Sequence, residues 1–194
     1  WADMGPRWLF TCYTLPELTV GVEICEDLWA PEPPSGALAA EGATLILNLS
    51  ASDEVAGKAD YRRALMTGQS GRLCCAYVYA DAGEGESSTD LVFAGHNMIA
   101  ENGILLAEKR FGTGLTVSEI DVGRLAHERR RMNNSAVRPD GAVTIHFNLN
   151  LGDTSLTRPV SPTPFIPADH DPRAPPCDAS MPIAARGVKK RLSH

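Results

Sequence analysis

The chain has 194 residues, of which 43% are hydrophobic and 22% charged, and its formal net charge is −6. These values are sufficient for one folded domain and exclude a disordered or collagen-like chain. The sequence contains neither a basic leader nor an apolar run of the roughly 18 residues that a membrane-spanning helix needs. Its net negative charge does not favour binding to nucleic acid. We therefore expect a soluble, cytoplasmic protein that binds neither nucleic acid nor a membrane.

Residues 1–150 alternate short apolar runs with turn signals, which predicts an α/β or α+β domain over this range. Apolar residues at every second position of 18–24 predict a strand that ends near Cys25. The segment PEPPSGALAAEGA predicts a helix that stops at Gly42, and ATLILNL predicts a strand buried on both faces. A helix is expected over 57–73, with a stripe at Tyr61, Leu65, Gln69 and Leu73 and with Arg62, Arg63 and Arg72 off that stripe.

Further strands are expected in CAYVYA, LVFAGHNMIA, ILLAEKR, GLTVSEI and VTIHFNL. The ENG tripeptide at 101–103 predicts a hairpin turn, and VGRLAHERRRM predicts a short helix. Eight of the fourteen prolines follow residue 150, so 151–194 is expected to be an extended linker. Five cysteines without CxxC spacing suggest neither a disulfide framework nor a zinc site.

Cys25 is the first candidate for chemistry, because it stands where a strand gives way to a turn. Free backbone amides at such a junction favour a thiolate and can hold an oxyanion. The alternative is an inert buried cysteine, which is the common fate of free thiols. No histidine lies nearby in the sequence to serve as its base.

The stretch NLSASDEVAGKAD is the second candidate, because it places Asn48, Ser50, Ser52 and Lys58 just beyond a predicted strand. Sheets of α/β proteins commonly bind ligands outside the strand ends. The alternative is a polar loop in which Ser52 or Asp53 caps the next helix. His96 has two interpretations as well, a base or a core histidine.

These motifs occur in one order: VGVEICEDLWAP, NLSAS, GKADYRR, CAYVYADAGEGESSTDLVFAGHNMIAENGILLAE and RF. In this order they resemble the glutaminase domain of glutamine-dependent NAD+ synthetases, which belong to the nitrilase or carbon-nitrogen hydrolase superfamily. The resemblance covers roughly residues 7–167, and GEGESSTDLVF is its most specific part. It implies an αββα sandwich, here incomplete at the N-terminus. PTPFIPAD and GVKKRLSH resemble the family's bridge into an ATP-dependent synthetase domain.

The resemblance implies that Cys25 attacks the side-chain amide of glutamine, forms a thioester and releases ammonia. The Glu26 amide would join the oxyanion hole, Glu26 and Ser52 would hold the amino-acid group of glutamine, and Trp29 and Lys58 would line the pocket. In the family a glutamate base and a lysine precede the cysteine motif, and neither is recognised in this sequence. The chain alone is therefore expected to be inactive.

The resemblance also implies that the ammonia passes to a synthetase domain that converts nicotinic acid adenine dinucleotide into NAD+ with ATP and magnesium. No cofactor is expected in this portion, and larger homo-oligomers are usual among relatives. Two other classes of function stay open: a non-catalytic remnant or interaction module, since a sandwich without its first strands exposes sheet edges, and a stand-alone nitrilase or amidase.

Overall fold

The computed structural model describes Gly5 and residues 7–132, 141–152, 155–160, 162 and 180–192, and the structural statements below concern these residues. The chain divides into two compact units, Trp1–Thr157 and Arg158–His194. The first contains strands β1 (Trp8–Cys12), β2 (Thr19–Ile24), β3 (Leu45–Ser50), β4 (Ala76–Asp81), β5 (Asn97–Glu101), β6 (Ile104–Lys109) and β7 (Val143–Phe147). Its helices are α1 (Pro34–Ala40), α2 (Lys58–Leu73) and α3 (Val122–Arg131).

All seven described strands form one mixed sheet in the order β6-β5-β4-β3-β2-β1-β7. At its centre β2, β3 and β4 are parallel, because α1 and α2 make the two crossovers between them. The strands on either side are antiparallel to this centre, and β7 returns parallel to β1. The predicted α/β class is confirmed, and the described residues provide one sheet of the sandwich that the resemblance implies.

One face of the sheet is buried beneath the helices, where Ile46 and Tyr77 pack in the core with Leu38 of α1 and Met66 of α2. Leu49 of β3 points to the opposite face and is 54% exposed. The expectation that β3 is buried on both faces is therefore wrong for the described residues, since the helices cover only one of them.

Most predicted elements are confirmed, including the hairpin, in which Asn102 and Gly103 both have the positive φ that a two-residue turn requires. Two of the predicted strands need correction, and one observed strand was not predicted. GLTVSEI forms no strand, LVFAGHNMIA becomes a strand only from Asn97, and β1 was not predicted at all.

Helix α2 follows the predicted stripe only in part: Gln69 is buried and Leu65 and Leu73 pack against the core, whereas Tyr61 does not. The buried positions of this helix are Ala59, Arg62, Met66, Gln69 and Ser70. Tyr61 is 60% exposed, whereas the Arg62 side chain is fully buried. Arg62 is the main departure from the hydrophobic pattern, and its buried guanidinium pairs with Glu54 and hydrogen-bonds to His96.

In the second unit, helix α4 (Ser180–Leu192) lies within the segment expected to be an extended linker. It contains Pro182, which falls in its first turn, where proline is tolerated because the amide of that turn has no partner within the helix. Residues 163–179, with most of PTPFIPAD, lie outside the described residues. Among the helices that the structure describes, none is both long and apolar enough to cross a membrane.

Candidate active site

The carboxyl ends of three parallel strands meet at one edge of the sheet. Cys25 follows β2, Ser50 ends β3 and Ser52 comes just after it, and Asp81 ends β4. Because neighbouring parallel strands end on the same side, residues from three distant segments come together here. The sequence-based prediction that the cysteine and the serine-containing loop share one site is consistent with this arrangement.

The backbone of Cys25 is held in an unusual conformation at the start of a short 3-10 turn, Cys25–Trp29. Its φ is 48°, in the left-handed region that residues other than glycine rarely adopt. The buried side chain of Asn48 holds this conformation from both sides: Oδ1 accepts from the Cys25 amide at 3.0 Å, and Nδ2 donates to the Cys25 carbonyl at 3.3 Å. The main chain of the candidate nucleophile is thereby fixed by the neighbouring strand.

The sulfur of Cys25 lies beside a pair of hydroxyl groups. The Ser50 hydroxyl donates to Sγ at 3.6 Å and is itself 2.5 Å from the phenol oxygen of Tyr79. Burial raises the pKa of Tyr79, although the hydrogen bond with Ser50 opposes this, so the phenol stays protonated and can donate. Cys25 is only half-buried, so the sulfur is neither enclosed among aliphatic side chains nor without polar neighbours.

A second polar chain lies beneath the cysteine. Glu23 is buried, its Oε1 accepts from the Tyr77 phenol, and its Oε2 accepts from the Ser35 amide at 2.8 Å. The Tyr77 oxygen in turn accepts from Nδ2 of Asn48 at 3.1 Å. Burial and the adjacent carboxylate raise the pKa of Tyr77 far above its ordinary value. This chain therefore fixes the orientation of the amide that holds Cys25.

Ser52 is buried and fixed at two points. Its amide donates to Oδ1 of Asp81 at 2.8 Å, and its hydroxyl accepts from Nη2 of Arg62 at 3.1 Å. Burial raises the pKa of Asp81, although the Ser52 amide and the charge of Arg62 oppose this. The alternative that Ser52 or Asp53 caps the next helix is wrong, because α2 begins at Lys58 and Gly57 occupies the capping position.

The structure brings two of the predicted pocket residues together. Nζ of Lys58 lies 5.7 Å from the ring centroid of Trp29, within range of a cation–π interaction. The same ammonium donates to Oδ1 of Asp53 at 2.5 Å and to the Asp53 carbonyl at 2.9 Å, and this interaction lowers the pKa of Asp53. Glu26 lies on the 3-10 turn with its side chain exposed.

A cavity of about 290 Å³ lies next to the turn. Its walls include Trp8 and Phe10 of β1, Val22 and Ile24 of β2, and Asp27 of the turn. Ile24 and Asp27 flank Cys25 in the chain, but Cys25 and Ser52 themselves are not among the lining residues. None of the predicted site residues, all of which lie in the described part of the chain, is therefore in the wall of this cavity.

Several site residues were missed by sequence reasoning, although a signal for them exists. In AYVYAD the tyrosines and the aspartate occupy alternate positions of one strand, so all three point to the same face. The register pairs Tyr79 with Asn48 and Asn48 with Glu23 across three strands. A row of polar residues at inward positions of predicted strands marks a site, since buried polar groups need partners.

Comparison with known proteins gives sequence relatives over nearly the whole chain. A scan against protein-family models gives no match. The glutamine-dependent NAD(+) synthetase of Mycobacterium leprae is 40% identical in an alignment 203 positions long. This alignment covers 98% of this chain and 30% of that protein. The protein of the same name from Mycobacterium tuberculosis is 42% identical, covering 97% of the chain and 30% of that protein. The chain therefore spans about a third or less of the length of these relatives.

Comparison with solved structures supports the fold. The crystal structure of a carbon-nitrogen hydrolase from Helicobacter pylori superposes with a TM-score of 0.52 at 18% identity, over 62% of this chain and 46% of that one. Identity at this level supports the architecture alone. The architecture of this chain is thus that of a solved carbon-nitrogen hydrolase, and its sequence relatives are glutamine-dependent NAD(+) synthetases.

Proposed function

Because this chain belongs to the family of glutamine-dependent NAD+ synthetases and matches about 30% of the length of its relatives, we propose that it carries the glutaminase chemistry of that family. The Cys25 thiolate attacks the side-chain carbonyl carbon of glutamine. The C–N bond then breaks, and the nitrogen leaves as ammonia with the proton that the thiol gave up. Water cleaves the resulting thioester, which yields glutamate and regenerates the thiol.

The position of Cys25 is the observation that carries this proposal. Its φ of 48° and its two hydrogen bonds with Asn48 hold it at the tip of a strand, as a nucleophile at a tight turn is held. The Ser50 hydroxyl faces the sulfur and can stabilise a thiolate. In this scheme the Glu26 amide, next to the nucleophile in the chain, receives the negative oxygen of the tetrahedral intermediate.

Recognition of glutamine needs a cation or hydroxyl for its carboxylate and a carboxylate for its ammonium. We assign the carboxylate to the Ser52 hydroxyl and the ammonium to the Glu26 side chain, with Trp29 and Lys58 as the pocket wall. Ser52 supports this assignment best, since it is fixed by two partners beside the strand that carries Ser50. Lys58 shares its charge with Asp53, which suits it to shaping the wall.

The wider reaction is proposed by relation to the family. Ammonia from this site would pass to a synthetase domain, which would use ATP and magnesium to form NAD+ from nicotinic acid adenine dinucleotide. A homo-oligomer and a cytoplasmic location belong to the same proposal.

The test is ammonia release from glutamine by the gene product that carries this sequence. We expect Cys25→Ala to abolish it and Cys12→Ala, which alters another thiol of the same sheet, to leave it unchanged. Equal release by both variants would contradict the proposal.

The 194 residues expressed alone provide a second arm. Within the described part of the chain, the Ser50 hydroxyl is the group that bonds to the sulfur, and no carboxylate or ammonium does so. We therefore propose that the isolated chain releases no ammonia above background. Sustained turnover that Cys25→Ala abolishes would show that these residues suffice.

A further inference from the structure

A single buried arginine organises the loop that follows β3. The guanidinium of Arg62 contacts three consecutive residues: Nη2 donates to Oγ of Ser52 at 3.1 Å and to the carbonyl of Asp53 at 3.2 Å, and Nη1 pairs with Oε2 of Glu54 at 3.1 Å. Its side chain is fully buried. Five donors in one plane can link several loop atoms at fixed angles, which a lysine cannot do.

The other side of the guanidinium is tied to the antiparallel strands. Nη1 of Arg62 donates to Nδ1 of His96 at 2.9 Å, and Nε2 of His96 lies 2.7 Å from Oε1 of Glu108. Because arginine has no acceptor, Nδ1 must accept and Nε2 carries the proton that it donates to Glu108. Arg63 holds the same carboxylate through three hydrogen bonds of 2.7–3.0 Å. These bonds thereby anchor the loop after β3 to the region of β5 and β6.

Stability alone explains this arrangement poorly. A buried ion pair often stabilises a fold no better than apolar side chains of similar volume would. In addition, Nε of Arg62 is buried and has no hydrogen-bond partner among the described residues. A buried donor without a partner is costly, so the arrangement is better explained by the geometry that it imposes on the loop.

Arg62 also determines what the Ser52 hydroxyl can do. The guanidinium occupies a lone pair of Oγ, so the hydroxyl proton is directed to another acceptor. A carboxylate, being charged, is a stronger acceptor for that proton than a neutral hydroxyl or phenol. We propose that Arg62 is a positioning residue that aims the Ser52 hydroxyl at the carboxylate of glutamine. This assignment rests on the proposed function.

The experiment measures alkylation of Cys25 in the gene product by two reagents. A chloroketone analogue of glutamine must first bind at the substrate site, whereas iodoacetamide reports only the reactivity of the thiol. In Arg62→Lys we expect the half-saturating chloroketone concentration to rise about tenfold, with the maximal rate and the iodoacetamide rate unchanged. Arg72→Lys, on the same helix but bonded to Gln69, should match the unaltered protein.

A coupling test separates positioning from a general structural role. Ser52→Ala should weaken saturation by a similar factor, and adding Arg62→Lys to it should weaken saturation no further, because Arg62 acts through that hydroxyl. If Arg62→Lys does not fold, Arg62→Met with Glu54→Gln removes both members of the buried pair and should give the same weakening. A folded Arg62 variant with half-saturation within about twofold of the unaltered protein would overturn this assignment. An unaltered protein that fails to saturate would instead overturn the proposed function.

Discussion

Replacing Asn48 by alanine should release the main chain of Cys25. The buried amide side chain makes three hydrogen bonds, two with the backbone of Cys25 and one with the Tyr77 phenol. At about 1 kcal/mol for each bond, with a further penalty for leaving the Cys25 amide unpaired, the loss should be about 2–4 kcal/mol of unfolding free energy. Relaxation of the positive φ at Cys25 would offset part of this loss of unfolding free energy.

The assay combines urea unfolding of the chain with ammonia release by the gene product. We expect a lower urea midpoint at unchanged slope and, because the nucleophile is no longer held in place, at least a roughly tenfold loss of activity.

Asn97→Ala is the matched control. Its side chain accepts one hydrogen bond, from the Asp81 amide at 2.9 Å, so it should lose about 1 kcal/mol and keep the activity. If the two variants behave alike in both assays, Asn48 does not hold the nucleophile and the reasoning is refuted.

Three further predictions concern packing, thiol reactivity and pH. Gly21→Ala should cost about 1–3 kcal/mol in urea unfolding, because a Cβ there would lie 3.1 Å from atoms of α1 and β3, while Gly36→Ala, in open space, should cost nothing. Iodoacetamide followed by peptide mapping should label Cys25 but not Cys75, whose pKa burial raises to about 12; equal labelling would contradict the structure. Burial alone would raise the pKa of Glu108, but its hydrogen bonds with Arg63 and His96 hold that pKa below the ordinary 4.5. The ionised Glu108 therefore stabilises the folded state above pH 4.5, and this contribution is lost as the pH falls through the lowered pKa. Glu108→Gln should reduce this acid-dependent loss of stability, and an unchanged pH profile would contradict the assignment.

The proximity of Cys25 and the serine loop could be predicted because it depends on strand order alone. Apolar alternation ended one strand at the cysteine, and a continuous apolar run ended the next before the serines. Two helical crossovers make such strands parallel neighbours, and parallel neighbours end at the same edge. The local sequence pattern was therefore sufficient to predict this long-range proximity, which the hydrogen bond between Ser50 and Cys25 shows.

The burial of Arg62 could not be predicted, because a charged side chain at a buried position contradicts the hydrophobic pattern of the helix. An arginine next to a tyrosine on a helix is ordinarily assigned to solvent, yet here Tyr61 is the exposed residue. Burial of Arg62 depends on partners outside its helix, Glu54 in the preceding loop and His96 before β5. Periodicity carries no information about such pairs, since their benefit appears only once the tertiary structure brings them together.

The row of polar residues beneath the cysteine lies between these two cases. Its members stand at inward positions of strands that were correctly predicted, so the register alone would have aligned them. What the sequence does not contain is the direction of each hydrogen bond. In the structure the Tyr77 phenol donates to the Glu23 carboxylate, and its oxygen accepts from Asn48.

Mass spectrometry of an acid-quenched reaction can show whether Cys25 forms a covalent glutamyl intermediate. The gene product is mixed with glutamine, quenched within the first turnovers and digested, and the peptide that contains Cys25 is examined. We expect an added glutamyl group on that cysteine, absent from Cys25→Ser and released by hydroxylamine, which cleaves thioesters. Ammonia release at full rate with an unmodified Cys25, or an adduct on another residue, would contradict this mechanism.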